Sequence, residues 1–157
     1  MKLSAKAKHV QDTLRALGLD VPVVKLAEST RTAAEAASAV GCTIGQIVKS
    51  LVFRAGEGPV LVLASGINLV DEVRLAALVG TPIKRARADF VRRNTGYAIG
   101  GVAPVGHPRP IPTFVDEDLL QYEEVWAAAG GPFTVFACSP DFLATLGKVT
   151  CVKRVAD

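Results

Sequence analysis

Apolar residues recur at helical spacing near the start of the chain, where Val10, Leu14 and Leu17 follow Ser4 and the pattern stops at Gly18. Ser4 is a suitable N-cap and Gly18 a suitable terminator, so a helix is predicted through about Leu17. VPVVKLA, residues 21–27, reads as a strand. Thr32 with Glu35 three residues later is a capping-box signature, and the AAEAASAV that follows ends at Gly41, which predicts a short helix. IVKSLVF (47–53) and PVLVLAS (59–65) are rich in β-branched and apolar residues, and AGEG between them predicts an antiparallel hairpin. Asp71 can cap a helix across DEVRLAALVG, and ADFVRRN predicts another that closes at Gly96. PTFVD, EEVWAAA, PFTVFA and KVTCVKR read as further strands, with Ser139 and Pro140 opening a helix over DFLATL. Helices alternate with strands, yet several links are too short for parallel crossovers. The expectation is therefore an α+β fold: a single domain over residues 1–157, with a mixed, mostly antiparallel sheet flanked by helices.

Composition narrows the class. The chain has 157 residues, 50% hydrophobic and 21% charged, which excludes a disordered or fibrous protein. That length can bury roughly 70% of the surface of the unfolded chain, so no disulfide framework is needed. Cys42, Cys138 and Cys151 are odd in number and widely spaced, and form neither a CxxC pair nor a metal-ligand cluster with His9 or His107. They are expected to be reduced thiols in a cytoplasmic protein, and neither a metal nor another cofactor is expected. The N-terminal MKLSAKAKHVQDTL lacks the apolar core of a signal peptide. The longest uncharged run, VWAAAGGPFTVFACSP, has 16 residues broken by Gly-Gly-Pro, short of the ~20 a membrane helix needs. The net charge of +3 is mild, so the distribution of charge says more than its sum.

Four stretches could carry chemistry. Lys49 interrupts the apolar strand IVKSLVF, and alternation places it on one face with Ile47, Leu51 and Phe53. Two readings are open: a lysine whose stem packs while its ammonium reaches water, or a cation in a partly desolvated cleft aimed at an anion or a carbonyl oxygen. In GYAIGGVAPVGHPRP, Gly100 and Gly101 permit close backbone approach and Pro104 stiffens the exit. Its amides could hold an oxyanion or a phosphate, or the segment could be a turn alone. The spacing matches neither a Walker A loop nor GxGxxG. His107 beside it reads as a surface loop residue. Gly130 and Gly131 in AAAGGPFTVF read first as a hairpin turn. The run IKRARADFVRR gathers Lys84, Arg85, Arg87, Arg92 and Arg93, which form either a solvated face or a track for a phosphate backbone. Asp116, Glu117 and Asp118 read as caps for the next turn.

Taken together, TAAEAASAVGCTIGQIVKSLVFR, TGYAIGGVAPVGH and AAAGGPFTVFACSPDFL, in that order, resemble the YbaK/prolyl-tRNA-synthetase-associated editing domain family of aminoacyl-tRNA deacylases. The resemblance implies an open, barrel-like mixed sheet flanked by helices. It maps the family's functional lysine onto Lys49, and its GxxxP pocket loop onto Gly100, Gly101 and Pro104. Lys49 and Gly101 are then the expected catalytic groups. Ile47, Phe53, Gly100, Pro104, Gly130 and Gly131 are expected to bind the aminoacyl end, and Lys84, Arg85, Arg87, Arg92 and Arg93 the tRNA. The implied reaction removes a small amino acid such as Cys, Ala, Ser or Thr from a mischarged tRNA, with tRNAPro the implied carrier and prolyl-tRNA synthetase a candidate partner. Where the alanyl-editing branch carries a histidine in an HPxxN-like segment, this chain has AGGPF, so that branch's substrate does not transfer. The alternative is a non-catalytic module that binds aminoacyl ends or nucleotides.

Overall fold

Ser4 opens the first element as its position predicts: its hydroxyl accepts the Ala7 N–H at 3.2 Å. Helix α1 (Ala5–Ala16) then buries Ala7, Val10 and Leu14 along one face. The structure is a computed structural model that describes residues 2–28 and 32–154. The buried stripe of α1 also carries Gln11, whose amide donates to Val21 O and accepts from Val23 N, both at 2.8 Å. Those bonds take backbone groups that a longer ladder would use, so the strand read at 21–27 shrinks to β1 (Val24–Lys25).

Helix α2 (Ala33–Val40) is capped by Thr32, whose hydroxyl accepts from Glu35 N at 3.1 Å. Strands β2 (Ile47–Ala55) and β3 (Gly58–Ser65) form the expected hairpin around Gly56 and Glu57. Helix α3 (Glu72–Val79) starts at Asp71, whose carboxylate accepts from the N–H groups of Val73 and Arg74. Strand β4 (Ile83–Arg85) is not foreshadowed by the hydrophobic pattern, because its sequence is short and charged. It nonetheless pairs antiparallel with the end of β2, placing Lys84 opposite Arg54. Helix α4 (Ala88–Thr95), β5 (Thr113–Asp116), β6 (Val125–Ala128), β7 (Thr134–Cys138), α5 (Pro140–Ala144) and β8 (Lys148–Thr150) occupy the predicted stretches with trimmed ends.

The strands join into one open, mixed sheet in the order β1-β7-β6-β2-β3-β5-β8, with β4 added beside β2. Pairs β1·β7, β6·β7, β2·β3 and β2·β4 are antiparallel, while β2·β6, β3·β5 and β5·β8 are parallel. One core lies between the sheet and α1, where Val10 and Leu14 meet Val48, Leu61, Leu63 and Phe136. On the opposite face Phe53, Val60, Val62, Leu75 and Phe114 form a second core under α3. No helix among the described residues is long and apolar enough to cross a membrane.

The feature that positions the site is a fork in this sheet. On the edge away from β3, β2 pairs with β6 only at Ile47 and Val48, and with β4 only from Phe53 to Ala55. Between Lys49 and Val52 no strand among the described residues covers that edge.

Candidate active site

The fork opens into a cavity of about 290 Å³. Ala33, Ala36 and Val40 of α2 form one wall, and Trp126, Ala127 and Ala128 of β6 with Val135 of β7 another. Residues 47–51 of β2 form the floor, and Ile99, Gly100 and Val102 close the remaining side. The wall is largely apolar; among the described residues Lys49 is its cation, and Thr32 and Ser50 are its hydroxyl-bearing residues. Ile47, expected to bind the aminoacyl end, lines the cavity. Phe53 does not: although it shares the Lys49 face, it lies four residues further along β2 and is buried in the α3 core against Val60 and Phe114.

Backbone register decides what the floor offers. Ala55 faces Gly58 across a two-residue turn, and Ile47 O accepts from Gly66 N at 2.8 Å, so odd-numbered residues of β2 exchange hydrogen bonds with β3. Ser50 and Val52 then point their N–H and C=O groups at the uncovered edge. The Ser50 hydroxyl is also buried without a hydrogen-bond partner. A desolvated polar group without a partner is uncommon in a folded protein.

Lys49 is half-buried, and its ammonium donates to the Asn68 carbonyl. Burial pushes its pKa below the ordinary lysine value, against the opposing attraction of the Asp116 carboxylate. Behind it, Asn68 Nδ2 donates at 2.8 Å to both Asp116 Oδ2 and Asp118 Oδ2. Asp116 is fully buried and also accepts from Ser65 N and Asp118 N, each at 3.0 Å. Lys153 donates to Asp118 at 2.9 Å; that bond and the one from Asn68 hold the Asp118 carboxyl below the usual range. Asp116 does cap the turn after β5, as read from sequence. Its connection to Lys49 through Asn68 was hidden, and the only local sign was one amide inside the apolar INLV.

The glycine-rich loop is divided in its duties. Gly100 reaches the cavity, whereas Gly101 does not: its N–H donates to Ala98 O at 2.9 Å and its carbonyl accepts from Gly130 N at 3.0 Å. A Cβ on Gly101 would stand 2.8 Å from Gly131 Cα. Gly101, Gly130 and Gly131 thus form a close backbone crossing behind the wall, and Gly130 at φ +95° packs on Lys6 of α1. Gly101, expected as a catalytic group, and Gly130 and Gly131, expected to bind the aminoacyl end, therefore stand behind the cavity wall in this structure. Pro104 is buried in the loop's exit and also lies off the cavity. Substituting Gly101→Ala should force the crossing apart, lowering stability by about 1–3 kcal/mol as other over-packed sites do. Urea unfolding of the variant measures it.

Three side chains pin the same loop from behind. Tyr97 donates to Val105 O at 2.8 Å, His107 Nε2 to Ala103 O at 2.8 Å, and His9 Nε2 to Gly106 O at 2.9 Å. Tyr97 and His107 meet edge to face with centroids 6.0 Å apart. Burial lowers the His107 pKa and raises that of Tyr97 to about 12, so both act as neutral donors at pH 7. His107 is half-buried rather than a surface residue, and it faces away from the cavity.

The basic run folds into a separate groove of about 750 Å³, lined by Lys84, Arg85, Arg87 and Arg93 and joined by Arg54 from β2. Arg92 is exposed outside it.

The aminoacyl-tRNA editing domain family matches residues 27–146 of this chain. A crystal structure of a proposed trans-editing enzyme for prolyl-tRNA synthetase superposes with a TM-score of 0.94 and 48% identity, covering 98% of this chain and 100% of the other. EbsC of Enterococcus faecalis, a proposed Cys-tRNA(Pro)/Cys-tRNA(Cys) deacylase, is 27% identical over 121 residues, 76% of this chain and 74% of that protein. Proline–tRNA ligase of Xanthomonas axonopodis pv. citri is 31% identical over 90 residues, 57% of this chain but 16% of the ligase.

Proposed function

The chain belongs to the aminoacyl-tRNA editing domain family, and from that membership and the geometry of the cavity we propose that it is a trans-acting deacylase of mischarged tRNA. The single observation that carries the reading is the Lys49 ammonium, half-buried at the floor of a largely apolar cavity beside an uncovered strand edge. Residues 1–157 act as one editing unit in this reading. The near-complete overlap with the trans-editing structure supports that.

The aminoacyl ester enters the fork with its side chain against Ala33, Ala36 and Trp126. An ammonium has three donors, and Lys49 engages one of them with Asn68, leaving others for the carbonyl oxygen as it gains charge. The Ser50 carbonyl, on the uncovered edge, is an acceptor for the substrate's α-ammonium. Water adds to the acyl carbon and the bond to the ribose 3′ oxygen breaks, releasing the free amino acid and a 3′ hydroxyl. Among the described residues no carboxylate, imidazole or thiol lines the cavity, so in this reading the attacking water loses its proton to solvent or to a group of the substrate. Rate then comes from positioning and electrostatics.

The amino acid removed in this reading is a small one such as Cys, Ala, Ser or Thr, and the likeness to EbsC, a proposed Cys-tRNA deacylase, supports it. The matched stretch of proline–tRNA ligase and the trans-editing structure support tRNAPro as carrier and prolyl-tRNA synthetase as partner, in the cytoplasm where translation runs. The missing side-chain base also favours a second reading, a non-catalytic module that holds aminoacyl ends. Deacylation of Cys-, Ala-, Ser- and Thr-tRNAPro beside correctly charged Pro-tRNAPro decides between them. Hydrolysis of at least one mischarged species, with Pro-tRNAPro spared, is expected. Binding without turnover of any of them would establish the second reading.

A further inference from the structure

The groove beside β4 is not used by the chemistry above. Among the described residues, Arg54, Lys84, Arg85, Arg87 and Arg93 line it against only Glu57 and Asp89. Glu57 pairs with Arg54 at 3.3 Å and Arg85 lies 3.9 Å from Glu72, so Lys84, Arg87 and Arg93 have no ion-pair partner among the described residues. Phe90 keeps two of the cations in place: the Arg54 and Arg93 guanidiniums lie 5.4 and 5.9 Å from its ring centroid. The charges are strung along β4 and the start of α4 and do not converge on one point. That arrangement suits a chain of phosphates better than a single small anion.

The groove is tied to the cavity by one strand. Arg54 is five residues beyond Lys49 on β2, so at roughly 3.3 Å per residue their backbone positions are about 17 Å apart along the strand. A stacked strand of nucleic acid advances ~3.4 Å per nucleotide, so this separation corresponds to about five nucleotides, and fewer when the strand is stretched. Resting on the deacylase reading of the cavity, we propose that the groove is the phosphate track for the 3′ acceptor strand of the tRNA. With the ester at Lys49, Lys84, Arg87 and Arg93 take phosphodiesters within the last five or so nucleotides, not that of the terminal nucleoside.

The test compares two substrates carrying the same amino acid: mischarged tRNA, and the amino acid esterified to adenosine, which is too short to reach the groove. For the double variant Lys84→Gln, Arg87→Gln, the ratio of kcat/KM on tRNA to that on the adenosine ester should fall about 25-fold at 0.1 M salt. That figure follows from a counterion-release slope of ~0.7 per lost phosphate contact. The dissociation constant for uncharged tRNA should rise by the same factor, and its log-log salt slope should flatten by about 1.4. An unchanged ratio with an unchanged salt slope would overturn the proposal, as would equal losses on both substrates. If the wild type binds tRNA with the expected salt slope but hydrolyses neither substrate, the deacylase reading fails while the phosphate track stands.

Discussion

Lys49→Ala should lower kcat/KM for mischarged tRNA by at least about a hundredfold, the scale lost when one preorganised donor to a developing oxyanion is removed. Most of the loss should appear in kcat, because the carbonyl oxygen gains its charge only on the way to the tetrahedral intermediate. The fold should not suffer with it. Burial lowers the Lys49 pKa, so folding works against the charged form. That penalty is fully present at pH values below the lowered pKa and fades as pH rises from there to the ordinary lysine value of 10.5. At neutral pH, Lys49→Met should therefore unfold no more easily in urea than the wild type.

The same shift sets the pH dependence of the rate. The cation is lost at a lower pH than for a free lysine, so the Lys49-dependent rate should decline on the alkaline side before 10.5 is reached. Lys49→Arg, whose guanidinium stays charged, should lose that decline even if its different shape slows the reaction. Single-turnover deacylation across pH measures both effects. Wild-type rates from Lys49→Ala would remove the lysine from the mechanism.

How far such a site is legible depends on how local its causes are. Lys49 could be singled out because one charged residue in an alternating apolar strand is visible in seven letters. The hairpin, the capped helices and most strands were equally local. Phe53 shows the limit of alternation: it shares the Lys49 face, but that face passes from cavity to core within four residues, at the point where β4 joins β2. The loop shows another limit. Gly100 and Gly101 are adjacent and alike in sequence, and only the crossing with Gly130 and Gly131, some thirty residues on, shows that the first faces the cavity and the second the backbone behind it. β4 escaped because its pairing with β2 is tertiary and its residues are polar. The support of Lys49 is the least local part, since Asn68 reaches Asp116 and Asp118 across 48 and 50 residues.

That support leads to the other large effect. Asp116→Ala should destabilise the fold by about 3–5 kcal/mol, because removing one member of a buried charged network strands the others. Ser65 N–H would lose its acceptor in a site with no solvent, and Asn68 would keep only Asp118. Asp116→Asn separates stability from function. Its amide oxygen can keep the N–H groups of Ser65 and Asn68, but its NH2 then faces the Asp118 N–H, so some stability is lost while the side chain still fills its site. What it removes entirely is the negative charge that opposes the lowering of the Lys49 pKa. Without it, the pKa falls further and the alkaline decline of deacylation should move to lower pH than in the wild type. A purely structural defect would lower the rate without moving the profile. An Asp116→Asn enzyme that is slower but keeps the wild-type pH profile would show that Asp116 holds the fold and does not tune the lysine.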